Sequence, residues 1–293
     1  MVAFTHSRHW DQGLIIIDLF KSYLRNNGWE VIELKEDDPN NVPKLKYDLC
    51  FGWGLSDTLK YVRDELNTKA IVFDLGMIRR TEIATRLGYF RCGIYDEKWV
   101  CPELCDSIRW QYLNIPISEK RSNPNSTIAF MGQVPNDVSH GMGEDELLKW
   151  TYDVIQKCKK DFPCDITYRP HPLTTFREKQ KGFCNLLARE GLSIDLRDER
   201  IENLPIEEFR CVITYCSTSA LHFIINGIPV LSSKNALYSE LTSHLEDEKW
   251  DVDYLPSASK RLEWLSKISY SQWNQKEIAD GTMFQFIRKY LNL

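Results

Sequence analysis

The sequence predicts an α/β protein made of two doubly wound domains. Short apolar runs of strand length alternate with helix-length patterns over residues 2–76, and the alternation returns over 127–233. Strands separated by helix-length connections pair in parallel, with the helices on the sheet faces. Between the two series lies "NIPISEKRSNPNS" (114–126), with two prolines, three asparagines and three serines, which is the composition of a linker. A chain of 293 residues has room for two domains of ordinary size.

The elements follow in order. "VAFT" (2–5) is a strand, followed by a helix from Trp10 to Asn26 with Leu14, Ile17, Leu19 and Leu24 as its apolar positions and Gly28 as its stop. "WEVIEL" (29–34), "YDLCFGW" (47–53), a helix near 56–66 and "KAIVFDLG" (69–76) complete the first series. The second begins with "TIAFMGQ" (127–133) and a helix from Glu144 to Lys159. It continues through "DITYR" (165–169), a helix near 176–189, "LSIDLR" (192–197), "CVITYC" (211–216), a helix near 219–226 and "PVLSS" (229–233). The expected division is a first domain over 1–120, a second over 121–270, and a closing helix over 271–293 that packs back on the first. The two halves share an architecture without a residue-level repeat.

Composition narrows the function classes. The chain is 43% hydrophobic and 27% charged, with no low-complexity tract, as in an ordinary globular protein. A net charge of −5 gives no global basic signature, so a polyanion would have to meet a local patch. No apolar run approaches the ~18–20 residues of a membrane span. The opening "MVAFTHSRHWDQG" lacks a signal peptide's charged and apolar regions, which predicts a cytoplasmic protein. Nine scattered cysteines without a C-x-x-C pair predict reduced structural thiols and no metal site.

Open α/β sheets bind ligands at the carboxyl ends of their strands, and two such domains are expected to face each other across a central cleft. The loops there carry polar residues. "GQVPNDVSHG" offers Gln133, Asp137, Ser139 and His140; "RPHP" offers Arg169 and His171; "STSAL" offers Ser217, Thr218 and Ser219 at the start of an apolar helix. An N-cap is the plain alternative for Ser217, and an Asx turn for Asp137. Yet hydroxyls and free N–H groups at a helix start, with a histidine and an arginine on neighbouring strand ends, also suit a diphosphate or a nucleotide phosphate.

The order "GQVPND", "RPHP", "YCSTSALHFIINGIPVL" resembles the donor-binding half of GT-B glycosyltransferases, above all the capsule-type enzymes that include the bacterial β-Kdo transferases. The resemblance covers about residues 127–235 well and the first half loosely; the closing segment and "FDLGMIRR" are similar to phage-encoded members. It implies that His171 with Ser217, Thr218 and Ser219 engages the donor phosphate, and that Asp137 is the catalytic carboxylate. Gln133 and Arg169 join the implied donor site, with a nucleotide-sugar such as a UDP- or CMP-sugar as co-substrate and no other cofactor. Physical chemistry asks for the same parts: a carboxylate near the anomeric carbon as base or nucleophile, and charge stabilisation on the leaving phosphate.

His6 and His9 follow the first strand and are candidates for the acceptor side, His6 as its base. "MIRRTEIATRLGYFR" (77–91) concentrates Arg79, Arg80, Arg86 and Arg91 against Glu82 alone, with Trp53, Tyr89 and Phe90 available to stack on a base. This suits acceptor DNA, specifically a hydroxymethylated base in phage DNA, and nearly as well an acidic glycan of capsule or lipopolysaccharide; a solvated face is the plain alternative. The one clear D-x-D, "WDVDY" with Asp251 and Asp253, lies late in an acidic stretch, which argues for a metal-independent GT-B enzyme over a GT-A one. No G-x-G-x-x-G, P-loop or G-x-S-x-G occurs. A sugar-nucleotide epimerase and a non-catalytic sugar- or nucleic-acid-binding module remain open.

Overall fold

The structure is a computed structural model that describes residues 1–6, 11–78, 89–94, 106–120, 126–137, 139–175, 177–197 and 201–293. It divides into two units, Met1–Asn114 with Glu263–Leu293, and Ile115–Leu262.

In the first unit β1 (Val2–His6), α1 (Asp11–Asn26), β2 (Glu30–Leu34), β3 (Leu49–Trp53), α2 (Asp57–Asp64) and β4 (Lys69–Leu75) form a parallel β2-β1-β3-β4 sheet. The apolar stripe of α1, with Ile16, Ile17, Phe20 and Leu24, covers one face over Phe51 and Phe73. Phe20 meets Phe51 edge to face, with ring centroids 4.8 Å apart. Leu59 and Val62 of α2 pack with Phe4, Cys50 and Tyr47 in a second cluster. Ser56 starts α2 by accepting the Leu59 N–H at 3.1 Å, as an N-cap should. The sheet then departs from the parallel expectation. Part of the arginine segment is a strand, β5 (Tyr89–Ile94), antiparallel to β4, and α3 (Ile108–Leu113) follows.

The second unit holds β6 (Thr127–Met131), α4 (Glu144–Asp161), β7 (Ile166–Arg169), α5 (Glu178–Arg189), β8 (Ser193–Ile194), β9 (Phe209–Ile213), α6 (Ala220–Ile225), β10 (Val230–Ser232) and β11 (Ser243–His244). All its strands are parallel, in the order β8-β7-β6-β9-β10-β11. That is the doubly wound order, with its reversal between β6 and β9. Acidic Glu144, Asp145 and Glu146 open α4 and Lys159 and Lys160 close it, matching the helix dipole. The strand expected over 192–197 stops at Ile194, because Asp195 Oδ1 takes the Arg197 N–H at 3.0 Å and turns the chain.

Residues 115–120 of the linker belong to this second unit. Ser118 N–H donates to the Ile225 carbonyl at 2.9 Å. Arg261, 1% exposed, donates to the carbonyls of Ser118 (2.8 Å), Ile224 (2.6 Å) and Pro256 (3.0 Å). The division therefore falls at 114/115, six residues before the boundary that composition suggested.

The second division, at 262/263, lies inside α7 (Ala258–Ser269). The segment read as one closing helix is a strand and two helices: β12 (Gln272–Asn274), antiparallel to β5, then α8 (Gln275–Ala279) and α9 (Thr282–Leu291). A capping box between Asn274 and Glu277 starts α8. Trp273, Ile278, Met283, Phe284, Ile287 and Leu291 are buried in the core cluster beneath α1. Arg109 of α3 fastens the segment: it stacks 3.9 Å over the Trp273 ring, pairs with Glu277 at 2.8 Å and donates to the Ser269 carbonyl at 3.1 Å. Among the described residues no helix is long and apolar enough to cross a membrane.

Candidate active site

Three strand ends build the site in the second unit, and the sheet order makes them neighbours. β6 lies between β7 and β9, so the loops after all three emerge side by side at the point where the strand order reverses. The loops after β6 and β7 are in direct backbone contact. Gly132 N–H donates to the Arg169 carbonyl at 2.8 Å. A Cβ at Gly132 would stand 3.0 Å from the His171 nitrogen and 3.1 Å from Pro170 Cα, so a side chain there would crowd the His-Pro turn.

That turn is well fixed. The His171 carbonyl accepts the Thr174 N–H (2.8 Å) and hydroxyl (2.9 Å) and the Thr175 hydroxyl (3.2 Å). Leu173 N–H reaches His171 Nδ1 at 3.2 Å, which places the ring hydrogen on Nε2. Arg169, expected in the donor site, makes an ion pair within the fold. Its side chain is 8% exposed and pairs with Asp195 Oδ2 at 2.9 Å, while a second N–H donates to the Arg197 carbonyl at 3.1 Å. Its charge is committed inside the fold. Burial resists ionisation of Asp195, but hydrogen bonds from Arg197 and Arg169 outweigh it and hold that carboxyl below its ordinary value.

Hydrogen bonds hold the described residues of the loop after β6. Asn136 adopts φ +61, and Asp137 Oδ1 accepts both the Ser139 N–H (2.9 Å) and the Ser139 hydroxyl (2.6 Å). The Asx turn considered for Asp137 is thus present, on a carboxylate that is exposed. His140 latches the loop: Met142 N–H donates to Nδ1 at 3.1 Å, and Nε2 contacts the Val134 carbonyl at 3.0 Å. Gln133 is nearly buried and ties β6 to β9, its Nε2 donating to Thr214 Oγ1 at 2.7 Å.

After β9 come Cys216 and the hydroxyl triplet, all half-buried. Ser217 and Ser219 share a hydroxyl hydrogen bond at 2.8 Å, and the fully buried Tyr238 donates to the Ser217 carbonyl at 2.7 Å. Ser219, not Ser217, occupies the cap of α6, and it makes no side-chain cap bond. The helix is only six residues long, so the hydroxyls rather than its dipole would carry an anion contact. Asp251 and Asp253 are accounted for structurally: Asp253 pairs with Arg210 at 2.7 Å, and Asp251 Oδ1 accepts the Asp253 N–H at 3.0 Å.

In the first unit the reversal of strand order lies between β1 and β3, and their last residues are His6 and Trp53. His6 is 4% exposed, with Nε2 3.9 Å from Asp37 Oδ1. Asp37 Oδ1 accepts the Thr58 N–H at 3.0 Å. Burial opposes the Asp37 charge, yet bonds from Thr58 and the neighbouring His6 prevail and keep its carboxyl below the usual value. Trp53 packs against Gly13 of α1, where a Cβ would come 2.7 Å from the indole. His9, Arg79 and Arg80 lie outside the described residues. Sequence reasoning missed Asp37, Asp195 and Cys216, whose partners sit 21 to 77 positions away in the chain or were read as strand.

No family model matches the sequence, and neither does any curated protein. Solved structures do. The β-Kdo 2,4 transferase of Thermosulfurimonas dismutans KpsC superposes with a TM-score of 0.60 at 17% identity, covering 99% of this chain and 98% of that one. The β-Kdo 2,7 transferase of the same KpsC gives 0.56 at 14% identity, over 98% and 100%. The fold is GT-B. Within it, the second unit supplies the sheet whose loops carry Asp137, His171 and the 217–219 hydroxyls. A UDP-GlcNAc 2-epimerase of Methanocaldococcus jannaschii aligns over 92% of this chain at 11% identity with a TM-score of 0.34, too loose a similarity to argue from.

Proposed function

We propose that the protein is a glycosyltransferase that moves a sugar from a nucleotide-sugar to a hydroxyl of a glycan, with Kdo as the first sugar to test. The observation that carries this reading is the convergence of Asp137, His171 and Ser217–Thr218–Ser219 at one reversal of strand order, on adjacent strands β7, β6 and β9. In the proposed reaction the Nε2–H of His171 and the three hydroxyls hold the departing phosphate and stabilise its charge. Asp137 lies at the sugar and acts as base or nucleophile. Gln133 and Arg169 act behind this surface by tying β6 to β9 and β7 to the loop after β8.

His6, with Asp37 beside it, is the proposed base for the acceptor hydroxyl. A glycan takes precedence over DNA as acceptor. The DNA reading depends on the arginine segment 77–91 and the likeness to phage-encoded members, whereas the superposing structures are those of Kdo transferases.

The test is a thermal-shift panel of UDP-, CMP- and GDP-sugars that includes CMP-activated Kdo, followed by mass spectrometry of glycan and DNA acceptors. One nucleotide-sugar should raise Tm, and Asp137→Ala should keep that shift while losing turnover. A panel in which no nucleotide-sugar stabilises the fold overturns the reading.

A further inference from the structure

We propose that Cys216 is a positioning residue for Asp137, acting through Ser139. The inference rests on the transferase reading of Asp137 and adds to it a link from the neighbouring strand. Ser139 follows β6 and Cys216 follows β9, on opposite sides of the strand-order reversal. The Ser139 hydroxyl has one hydrogen, and at 2.6 Å from Asp137 Oδ1 that hydrogen goes to the carboxylate. Its oxygen then accepts, and Cys216 Sγ stands 3.1 Å away with a hydrogen to give. The thiol's other polar neighbour, Gln133 Oε1, is farther at 3.6 Å. Hydrogens therefore run in one direction, from Cys216 S–H to Ser139 O–H to Asp137.

Burial raises the pKa of the Cys216 thiol; the hydrogen bond with Ser139 works against the rise and the charge of Asp137 adds to it, and burial prevails, so the sulfur keeps its hydrogen. Gln133, itself bonded to Thr214, closes the thiol's other side. An Asx turn alone would hold Asp137 within its own loop. The thiol ties that turn to β9, the strand that also delivers the 217–219 hydroxyls. The carboxylate and the phosphate-holding hydroxyls are thereby set in one frame.

The experiment has two arms. In the first, Cys216 labelling by iodoacetamide is followed by peptide mass spectrometry in wild type and Asp137→Asn, which needs no substrate. Removing the carboxylate charge should speed labelling at Cys216, and an unchanged rate overturns the coupling. In the second, kinetics are measured with the nucleotide-sugar that the thermal-shift panel identifies. Cys216→Ala should lower kcat up to about tenfold, the upper end for a hydrogen bond between neutral groups, with the donor KM unchanged. Cys216→Ser should restore most of the rate, and adding Cys216→Ala to Ser139→Ala should cost nothing further. Wild-type kcat in Cys216→Ala overturns the proposal, as does an additive double variant. Full activity in Asp137→Asn removes Asp137 from the chemistry, a separate failure that the labelling arm distinguishes.

Discussion

At the scale of the residue, Asp195 decides what Arg169 can do. An arginine directly before a His-Pro turn reads as a phosphate ligand, and here it is paired with a carboxylate inside the fold. Both side chains are nearly inaccessible, at 8% and 7%, so removing either partner leaves a charge in a poor environment. Asp195→Asn should cost about 1.5–3 kcal/mol at neutral pH, the range for hydrogen bonds to charged groups. The dependence on pH follows from the direction of the shift. The folded carboxyl titrates below its unfolded value of about 3.9, so its contribution is fully present above that pH and drains away as pH falls through the folded pKa. Urea denaturation at stepped pH should show wild type and Asp195→Asn well separated at pH 7 and converging below about pH 4. A separation that persists in acid would assign the loss to packing instead of charge.

At the scale of the element, β6 and β7 end in register, and Gly132 is what lets the two ends touch. In Gly132→Ala the new methyl meets the His171 nitrogen and the Tyr168 hydroxyl at 3.0 Å, and two of its three nearest atoms are backbone. The His-Pro turn must give way, at about 1–3 kcal/mol for an overpacked site. Nucleotide-sugar binding should weaken beyond what the Tm loss alone explains; a variant with lower Tm but unchanged donor affinity would detach the turn from the site. Most of the parallel strands were legible because burial on both faces writes them as apolar runs such as "TIAFM" and "CVITYC". Three strands left no such mark: the parallel β11 has only two residues, Ser243–His244, and the other two are antiparallel. Tyr89–Ile94 reads "YFRCGI", with an arginine and a glycine inside, and Gln272–Asn274 is three residues long. Both pair antiparallel, so neither needs the crossover helix that announces a parallel strand.

At the scale of the whole molecule, motif order marks the loops of the candidate site, but not the bonds among them. "GQVPND", "RPHP" and "STSAL" mark where the strands end, whereas the contact of Cys216 with Ser139 spans 77 positions and has no local signature. The same holds for the C-terminal segment, whose amphipathic pattern is visible but whose partner is not. Phe284 is 3% exposed and meets Phe20, Trp29 and Tyr23 with ring centroids 5.3, 5.8 and 6.0 Å apart. A side chain near the end of the chain thus helps complete the core built on its first strands. Phe284→Ala should cost about 3–5 kcal/mol, the range for emptying an aromatic site in a core. Hydrogen exchange followed by mass spectrometry should locate that loss. Amides of β1, α1, β3 and β4 should exchange faster, while those of β6, β7 and β9 keep their wild-type protection, because the cavity opens in the core of one unit only. Faster exchange confined to α9 would mean that the helix only decorates the first unit. An equal rise in the second unit would mean that the two unfold as one.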